Sequence, residues 1–503
     1  MRSDWKRVQV SEVCDLIVDC VNKTAPRVDL PTPYRMIRTP NVKNGRVDRT
    51  DCRYVEKDTY EKWTRRATVE RGDVLLTREA PMGEVGYVDF DDTVFLGQRI
   101  MQYRTNPNML NARYLLYAFL SPDLQNQFKM HDGSGSVVSH IRVPDCSKFE
   151  LNLPPLWEQE AIVSILGELD DKIQLNHQLN QTLEQLAQAI FKSWFVDFEP
   201  IKAKIAARKH WLAMQPANES ASPVCFASDA EYRPPGDETP AVDLETAMTL
   251  AAMRAISGRF LTDAGTDPLA RLQTEQPEQF AELRATAALF PAAMQESELG
   301  EVPEGWEVKI LSDFGSVVTG KTPPKKESEA YGEGVSFVTP TDITNDVYVT
   351  RTARQLTDIG IGTVKKSFLP KGSICVSCIG SQMGRTIITP YDAITNQQIN
   401  SIIVDQSFLR YYLFLNLRQR RSEIFSIGSS GSTMPIINKT TFSKLSILSP
   451  QAELLIHFDQ VVEKSFERIL CGLIESETLS NLRDTLLPKL LSGELTLPEG
   501  EEL

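Results

Sequence analysis

The residues from Gly315 to Thr322 read Gly-Ser-Val-Val-Thr-Gly-Lys-Thr, which satisfies the phosphate-loop pattern. That motif cradles phosphate only when a helix begins at its Lys-Thr pair, so that the positive helix end faces the anion. Here Pro323-Pro324 follow directly, and the second proline holds the first in extended backbone, so no helix is expected to begin. A partner strand ending in a metal-binding Asp is also missing. Cys375-Val-Ser-Cys378 is a single C-x-x-C in an apolar β-type run, with no second pair and no nearby His. It reads as a strand that contains cysteines rather than as a zinc or redox site. With only 5 histidines the chain is poor in general bases and metal ligands. Gly428-Ser-Ser-Gly431 and Gly133-Ser-Gly135 lack the serine-elbow spacing. Neither an Asn-Pro-Pro-aromatic sequence nor a Gly-rich cofactor loop is found. The expectation is that this chain holds no catalytic residue, no metal and no cofactor.

Binding therefore remains, and charge says where. The 503 residues carry a net charge of −13, which argues against a polyanion partner until it is divided along the chain. Residues 1–150 hold 23 basic and 21 acidic side chains, and residues 305–449 hold 16 and 11. The stretches after them, 151–199, 200–304 and 450–503, are all acidic. Two mildly basic blocks alternate with acidic segments that must face something else. The composition, 41% hydrophobic and 24% charged, is that of a globular protein and excludes collagen-like, disulfide-scaffold and wholly disordered classes. The longest apolar run, Leu115 to Leu120, is far below the roughly 20 residues of a membrane span. Residues Met1 to Arg7 contain no signal-like apolar stretch, and eight scattered cysteines suit a reducing cytoplasm, so a cytoplasmic location is expected.

The two basic blocks are copies of one another. Asp4-Trp5 through Ser11-Glu12-Val13 matches Gly305-Trp306 through Ser312-Asp313-Phe314 without a gap. In the same order Met36-Ile37 matches Phe337-Val338, Arg71-Gly72 matches Lys371-Gly372, and Met82-Gly83 matches Met383-Gly384. Gln98-Arg99-Ile100 then matches Gln397-Gln398-Ile399, Arg113-Tyr114-Leu115 matches Arg410-Tyr411-Tyr412, and Pro155 matches Pro450. The drifting offset is what surface-loop insertions produce. Each copy opens with short β-type runs, such as Val74–Thr77, Val85–Val88, Ile374–Ile379 and Ile399–Val404, and closes with a long helical pattern.

The first helix opens at Pro155 with Glu158 and Glu160 in its first turn, as suits a positive helix end. Its apolar seam, Ile162, Leu166, Leu169, Ile173, Leu183, Ile190 and Trp194, continues through Asn176, Asn180 and Ala187 in alternating steps of four and three. That is a coiled-coil seam, with the asparagines as a register-fixing polar layer. The second helix carries Phe458, Val462, Phe466, Ile469, Leu473, Ser476, Leu479, Leu482 and Leu486, with less regular spacing. Each would run about 50 Å. Between the copies, Val224 to Pro240 reads as loop or disorder, while Asp243 to Ser257, stopped by Gly258, and Glu278 to Phe290 read as helices.

This duplicated plan resembles a type I restriction-modification specificity subunit over nearly the whole chain. The likeness rests on Leu153-Pro-Pro-Leu-Trp-Glu-Gln-Glu-Ala-Ile162 and Ile190-Phe-Lys-Ser-Trp-Phe-Val-Asp197 at the ends of the first helix. It rests equally on Ser297-Glu-Leu-Gly-Glu-Val-Pro-Glu-Gly-Trp306 and Leu486-Leu-Pro-Lys-Leu-Leu-Ser-Gly-Glu-Leu495. The resemblance implies an α+β fold, internally duplicated, with two target-recognition domains joined by two long antiparallel coiled-coil helices. The divisions would be 1–155 and 305–449 for the recognition domains and 156–197 and 450–492 for the helices. An acidic helical insert would fill 198–304, with a tail at 493–503. It also implies double-stranded DNA as the target, read in two halves separated by a gap that the helices measure. The implied partners are two modification subunits, which methylate adenine with S-adenosylmethionine, and restriction subunits, which use ATP and Mg. The second helix opens Ser449-Pro-Gln-Ala-Glu453, without the Glu-Gln pair of the first, which puts its partner contacts in doubt.

Arg suits guanine, and Gln or Asn suits adenine, in two-bond contacts with base edges. On that chemistry the candidate readers beside β-type runs are Arg38, Asn41, Lys43, Arg46, Arg78, Gln98 and Arg99 in the first copy. In the second they are Gln382, Arg385, Asn396, Gln397 and Gln398. The loops Gly133–Ser136 and Gly428–Thr433 could offer backbone N–H groups to phosphate. Two other readings are a phosphate-loop enzyme and a coiled-coil scaffold without a DNA role; the scaffold leaves the duplicated basic blocks unexplained.

Overall fold

The computed structural model describes residues 5–21, 23–131, 140–214, 243–258, 267–324, 326–429 and 436–497. The chain divides into two compact units, one made of residues 1–175 and 475–503 and the other of residues 176–474. The expected loops at Gly133–Ser136 and Val224–Pro240, and the Gly428–Thr433 loop beyond Ser429, lie outside the described residues.

In the first unit, β1 (Lys6–Gln9) pairs with β11 (Glu150–Leu153). Six strands form the main sheet: β2 (Cys14–Asp19), β4 (Val42–Lys43), β5 (Gly45–Val47), β7 (Val74–Arg78), β8 (Met82–Tyr87) and β10 (Ile100–Thr105). Their order is β2-β10-β7-β8-β5-β4. A smaller sheet orders β6 (Arg53–Tyr54), β3 (Arg35–Ile37) and β9 (Val94–Leu96), with β3 and β9 parallel. Every residue of β7 is buried, because both faces of that strand are covered. Val74 and Leu76 join a core with the helix Ala112–Leu120, whereas Leu75 joins a second one with Ile37, Val88 and Ile100. That helix is the longest apolar run of the sequence. Asn111 caps it by accepting from the N–H groups of Arg113 and Tyr114, and all of Tyr114–Phe119 is buried.

The second unit repeats the plan. β14 (Glu307–Ile310) pairs with β23 (Ser446–Ser449). A four-stranded sheet orders β15 (Gly315–Thr319), β22 (Ile399–Val404), β19 (Ile374–Ser377) and β20 (Thr386–Ile388). Another orders β17 (Gln355–Leu356), β16 (Tyr331–Val338), β21 (Ala393–Thr395) and β18 (Phe368–Leu369), with β16 and β21 parallel. A hairpin, β12 (Met294–Ser297) with β13 (Gly300–Pro303), precedes the repeat. One bond refines the alignment of the copies. Tyr114 donates to the Asn152 carbonyl on β11, and its counterpart bond on β23 is Tyr412 to Leu448, so Tyr114 corresponds to Tyr412 rather than to Tyr411.

Both long helices form: Leu156–Phe195 and Ala452–Leu491, each 40 residues or about 60 Å. They run antiparallel in both units. In the second, Trp194 meets Phe458 while the Asn176 amide reaches the Gly472 carbonyl. In the first, Lys172 pairs with Glu475 and Asp170 with Arg483. The seam is buried at Ile162, Leu166, Ile173, Trp194, Phe458, Val462, Phe466 and Ile469, and partly buried at Leu169, Leu183, Ile190, Leu473 and Leu486. The second seam holds its expected phase through Ser476, which is buried, and drifts out of it beyond that residue. Leu482 is 46% exposed, while Leu487, Leu490 and Leu491 are buried and Arg483 turns inward.

The insert is more than a spacer. Helices Leu244–Ser257, Pro268–Glu275 and Pro277–Ala288 share a small core of Ala252, Met253, Leu269, Leu272 and Ala287, and helix Glu199–Met214 packs along Leu244–Ser257. Asp243 caps its helix and Gly258, at φ 64°, stops it as expected. Ile201 and Phe290 extend the insert into the main core of the second unit, where Phe290 meets Trp194 edge-on.

Candidate nucleic-acid interface

Strand direction brings a set of loops to one edge of each repeat. In the first unit β2, β3, β7 and β9 end where β8 and β10 begin, since β10 runs antiparallel to β2 and β7. The second unit does the same with β15, β16, β19 and β21 against β20 and β22. Three backbone hydrogen bonds recur at this edge. Gly97 donates to Ile37 at 2.7 Å, as Asn396 does to Val338 at 3.1 Å. Arg78 donates to Arg99, as Cys378 does to Gln398, both at 2.8 Å. Ile141 donates to Arg78 at 3.1 Å, as Ile437 does to Cys378 at 3.0 Å. The edge is thus one frame built twice, and its loops differ in side chains.

The candidate readers divide into those that reach this edge and those that turn inward. Arg99 is exposed there beside Glu79, at 3.1 Å, and holds the left-handed backbone at φ 72°, as does Ala80 at φ 50°. Non-glycine residues in that region mark strain held for a purpose. Gln98 lies next to Arg99, half-buried, and Arg38 follows β3 with its guanidinium on the Asp51 carbonyl and carboxylate. Lys43 is exposed on the outer strand β4. Asn41, by contrast, is buried and closes its own turn by accepting from the Arg38 N–H. Arg78 is buried against the Ile141 carbonyl. Arg46 donates to the Asp170 carbonyl of the long helix, and burial pulls its pKa down, with Asp170 acting in the opposite sense.

In the second unit Gln397 is exposed at the edge and Gln398 is half-buried. Asn396 is buried, bonding the Gln398 N–H and side chain. Arg385 donates to the Ile343 carbonyl, and burial lowers its pKa. Gln382 is half-buried on the β19–β20 connection.

Two segments at the edge escaped the sequence reading: Lys23-Thr24 after β2 and Lys321-Thr322 after β15. The signal was available, because the copy alignment sends both loops to the same edge. Lys321-Thr322 was considered only as a phosphate loop. The structure makes Gly315–Thr319 a strand and carries the chain on without a helix at Lys321. Gly320 is required there, since a Cβ would stand 2.1 Å from the Asn396 carbonyl oxygen. Cys375 and Cys378 are buried, and burial pushes their thiols up to about 12 and about 11, away from the reactive range. Among the described residues no group of three or more His, Cys, Asp or Glu could hold a metal, and no helix is long and apolar enough to cross a membrane.

The Glu158-Gln159 pair, expected to face a partner, faces inward instead. Glu158 accepts from the Trp5 indole at 3.0 Å. Gln159 is fully buried, accepting from the Asn111 N–H and donating to the Met109 and Pro154 carbonyls. In the second helix the buried residues nearest this position are Leu454 and Leu455, so the missing Glu-Gln pair reflects a different domain joint.

Two copies of one loop-edged β domain, set on a pair of antiparallel helices, define a two-part recognition protein. The model of the type I restriction modification DNA specificity domain matches residues 2–185 and 303–463. The HindI specificity subunit of Haemophilus influenzae is 36% identical over 437 residues, 85% of this chain and 87% of that one. The MjaIX specificity subunit of Methanocaldococcus jannaschii is 23% identical over 435 residues, 85% and 79% of the two chains. A solved S subunit from M. genitalium aligns over 99% of this chain and 97% of its own at 13% identity and a TM-score of 0.48. The chain belongs to the type I restriction-modification specificity family, and its role is DNA sequence specificity.

Proposed function

We propose that each repeat reads one half of a bipartite double-stranded DNA site with its loop edge, and that the chain does no chemistry itself. The observation that carries this reading is the edge frame, built twice on the same backbone bonds but fitted with different side chains. Arg38, Lys43, Gln98 and Arg99 serve the first half-site, and Gln382, Arg385, Gln397 and Gln398 the second. Asn41, Arg78 and Asn396 support them from below, and Arg46 ties the first domain to the long helix. Phosphate contacts fix the register and base-edge contacts specify the sequence. Two modification subunits, holding S-adenosylmethionine, methylate adenine at the address so given. Restriction subunits with ATP and Mg join for cleavage, and the assembly works in the cytoplasm.

Apolar side chains left on the outside of the long helices support partner docking. Trp157, Leu175 and Leu482 are exposed on the first unit, and Leu186, Val461 and Ile474 on the second. The test is to map methylated adenines in DNA from cells with and without this chain. A two-part motif present only with the chain is the expected result; an unchanged methylation pattern overturns the reading.

A further inference from the structure

The two edges share one further feature, a glutamine held by a neighbouring loop. Gln98 and Gln397 occupy the same point of the frame, next to the residue whose carbonyl receives the Arg78 or Cys378 N–H. The side-chain carbonyl of Gln98, in the amide orientation that suits its surroundings, accepts from the backbone N–H groups of Lys23 and Thr24, each at 3.2 Å. The Gln397 carbonyl accepts from the Thr322 hydroxyl at 2.7 Å. In both copies the donor comes from the loop that leaves the first strand of the main sheet, β2 or β15. The Gln397 amide nitrogen has no hydrogen-bond partner among the described residues, and Gln397 is exposed.

We infer that Gln98 and Gln397 are matched specificity-determining residues, each fixed by that loop as a hydrogen-bond donor to an acceptor on a base edge. The inference rests on the loop edges being the DNA interface. A free glutamine reads adenine with both ends of its amide, accepting from N6 while donating to N7. Gln98 has both carbonyl lone pairs engaged, so only its N–H donors remain. It is matched to purine N7, guanine O6 or thymine O4, and a cytosine amino group in its place would meet donor with donor. Gln397 keeps one lone pair but is held in the same sense by Thr322. The anchoring also removes side-chain freedom before DNA arrives, which lowers the cost of binding.

The test uses the complex assembled with its modification subunits, acting on a DNA pool randomised across both half-sites, with adenine methylation read by sequencing. Gln98→Glu keeps the shape and replaces the N–H donors by an acceptor. It is expected to cut the preference at a single base position of one half-site roughly tenfold or more, leaving the other half-site untouched. Gln397→Glu should do the same in the other half-site only. Thr322→Val, which removes the anchor and leaves Gln397 in place, should loosen that same position by a smaller factor. Unchanged preference at every position in Gln98→Glu and Gln397→Glu, or loss spread evenly over both half-sites, overturns the inference. Exchanging residues 21–24 and 97–99 for those of a relative with another target separates the two levels. A changed half-site there, with Gln98→Glu silent, overturns only the role of the glutamine; an unchanged half-site overturns the edge as the interface.

Discussion

The two recognition domains grip the same pair of helices by different chemistry. In the first unit the apolar packing of Ile162, Leu166, Leu487 and Leu490 is joined by a polar, directional set of bonds. The Asp170 carboxylate receives the Tyr117 hydroxyl at 2.9 Å and Arg483 at 2.8 Å, and its carbonyl receives Arg46 at 3.0 Å. Arg113 pairs with Asp171 at 2.7 Å. In the second unit the grip is aromatic. Phe191, Trp194, Phe195, Phe458, Trp306 and Tyr412 form one set of tilted and edge-on rings, and Tyr411 stacks on Phe466 at 4.2 Å. Arg418 with Glu184, at 2.7 Å, is the ion pair that ties the second domain to the first long helix. A duplicated fold has kept its backbone plan and changed the material of its joint. Geometry is therefore what the two copies share, while polar bonds and apolar area are alternative ways of holding it.

The largest expected difference between the joints is in stability. Phe195→Ala should cost the second unit about 3–5 kcal/mol, the usual range for emptying a buried aromatic site, seen as a lower urea midpoint. A cost below about 1 kcal/mol would mean that the ring cluster is not what holds this joint. Asp170→Asn should cost the first unit about 2 kcal/mol by weakening charge-assisted bonds. Because the partly exposed Arg483 pair is screened by salt, the cost should shrink at high ionic strength. A double-mutant cycle with Arg483→Met that shows no coupling would remove Asp170 from its place at the centre of the joint.

A smaller effect depends on pH and belongs to the second unit. Burial raises the Asp459 carboxyl to about 6, with Glu463 adding to the shift and Arg410 opposing it. A carboxyl with a raised folded pKa binds its proton more tightly when folded, so it destabilises above about 6 and ceases to do so as pH falls towards its ordinary value. Asp459→Asn should raise the unfolding free energy at pH 7.5 by about 1 kcal/mol, a figure reduced for partial exposure, and change it little at pH 4.5. An equal gain at both pH values would assign the effect to something other than this carboxyl. The smallest effect is expected at Leu482→Lys, within about 0.5 kcal/mol for folding because the side chain is exposed. The same change should weaken co-elution with the modification subunit, and wild-type co-elution would take this face out of the docking surface.

Much of this was legible in the sequence, for reasons that differ by element. The long helices showed because a 40-residue amphipathic period is hard to mimic, and the duplication showed because turn glycines such as Gly72 and Gly372 hold positive φ in both copies. The inward turn of Asn41, Arg46 and Arg78 did not show, because an arginine beside a β-type run looks the same whether it meets a base or a distant carbonyl. The drift after Ser476 was hidden because Leu479, Leu482 and Leu486 offer a plausible apolar period of their own. Phe290 looked like the end of a helix in a spacer; only the packed structure reveals it as core.

The division of the chain also sets an order in time. The first unit includes residues 1–175 but closes its core with Leu487, Leu490 and Leu491, which pack with Val10, Tyr114 and Ile162. On the ribosome those leucines emerge only after the whole of residues 176–474 has been made, an interval of roughly 15–60 s at ordinary elongation rates. The second unit, one unbroken stretch, can complete itself first. The domain encoded earliest is thus finished last, and a nonsense mutation beyond residue 474 would injure the opening domain of the chain and spare the unit beside it in sequence.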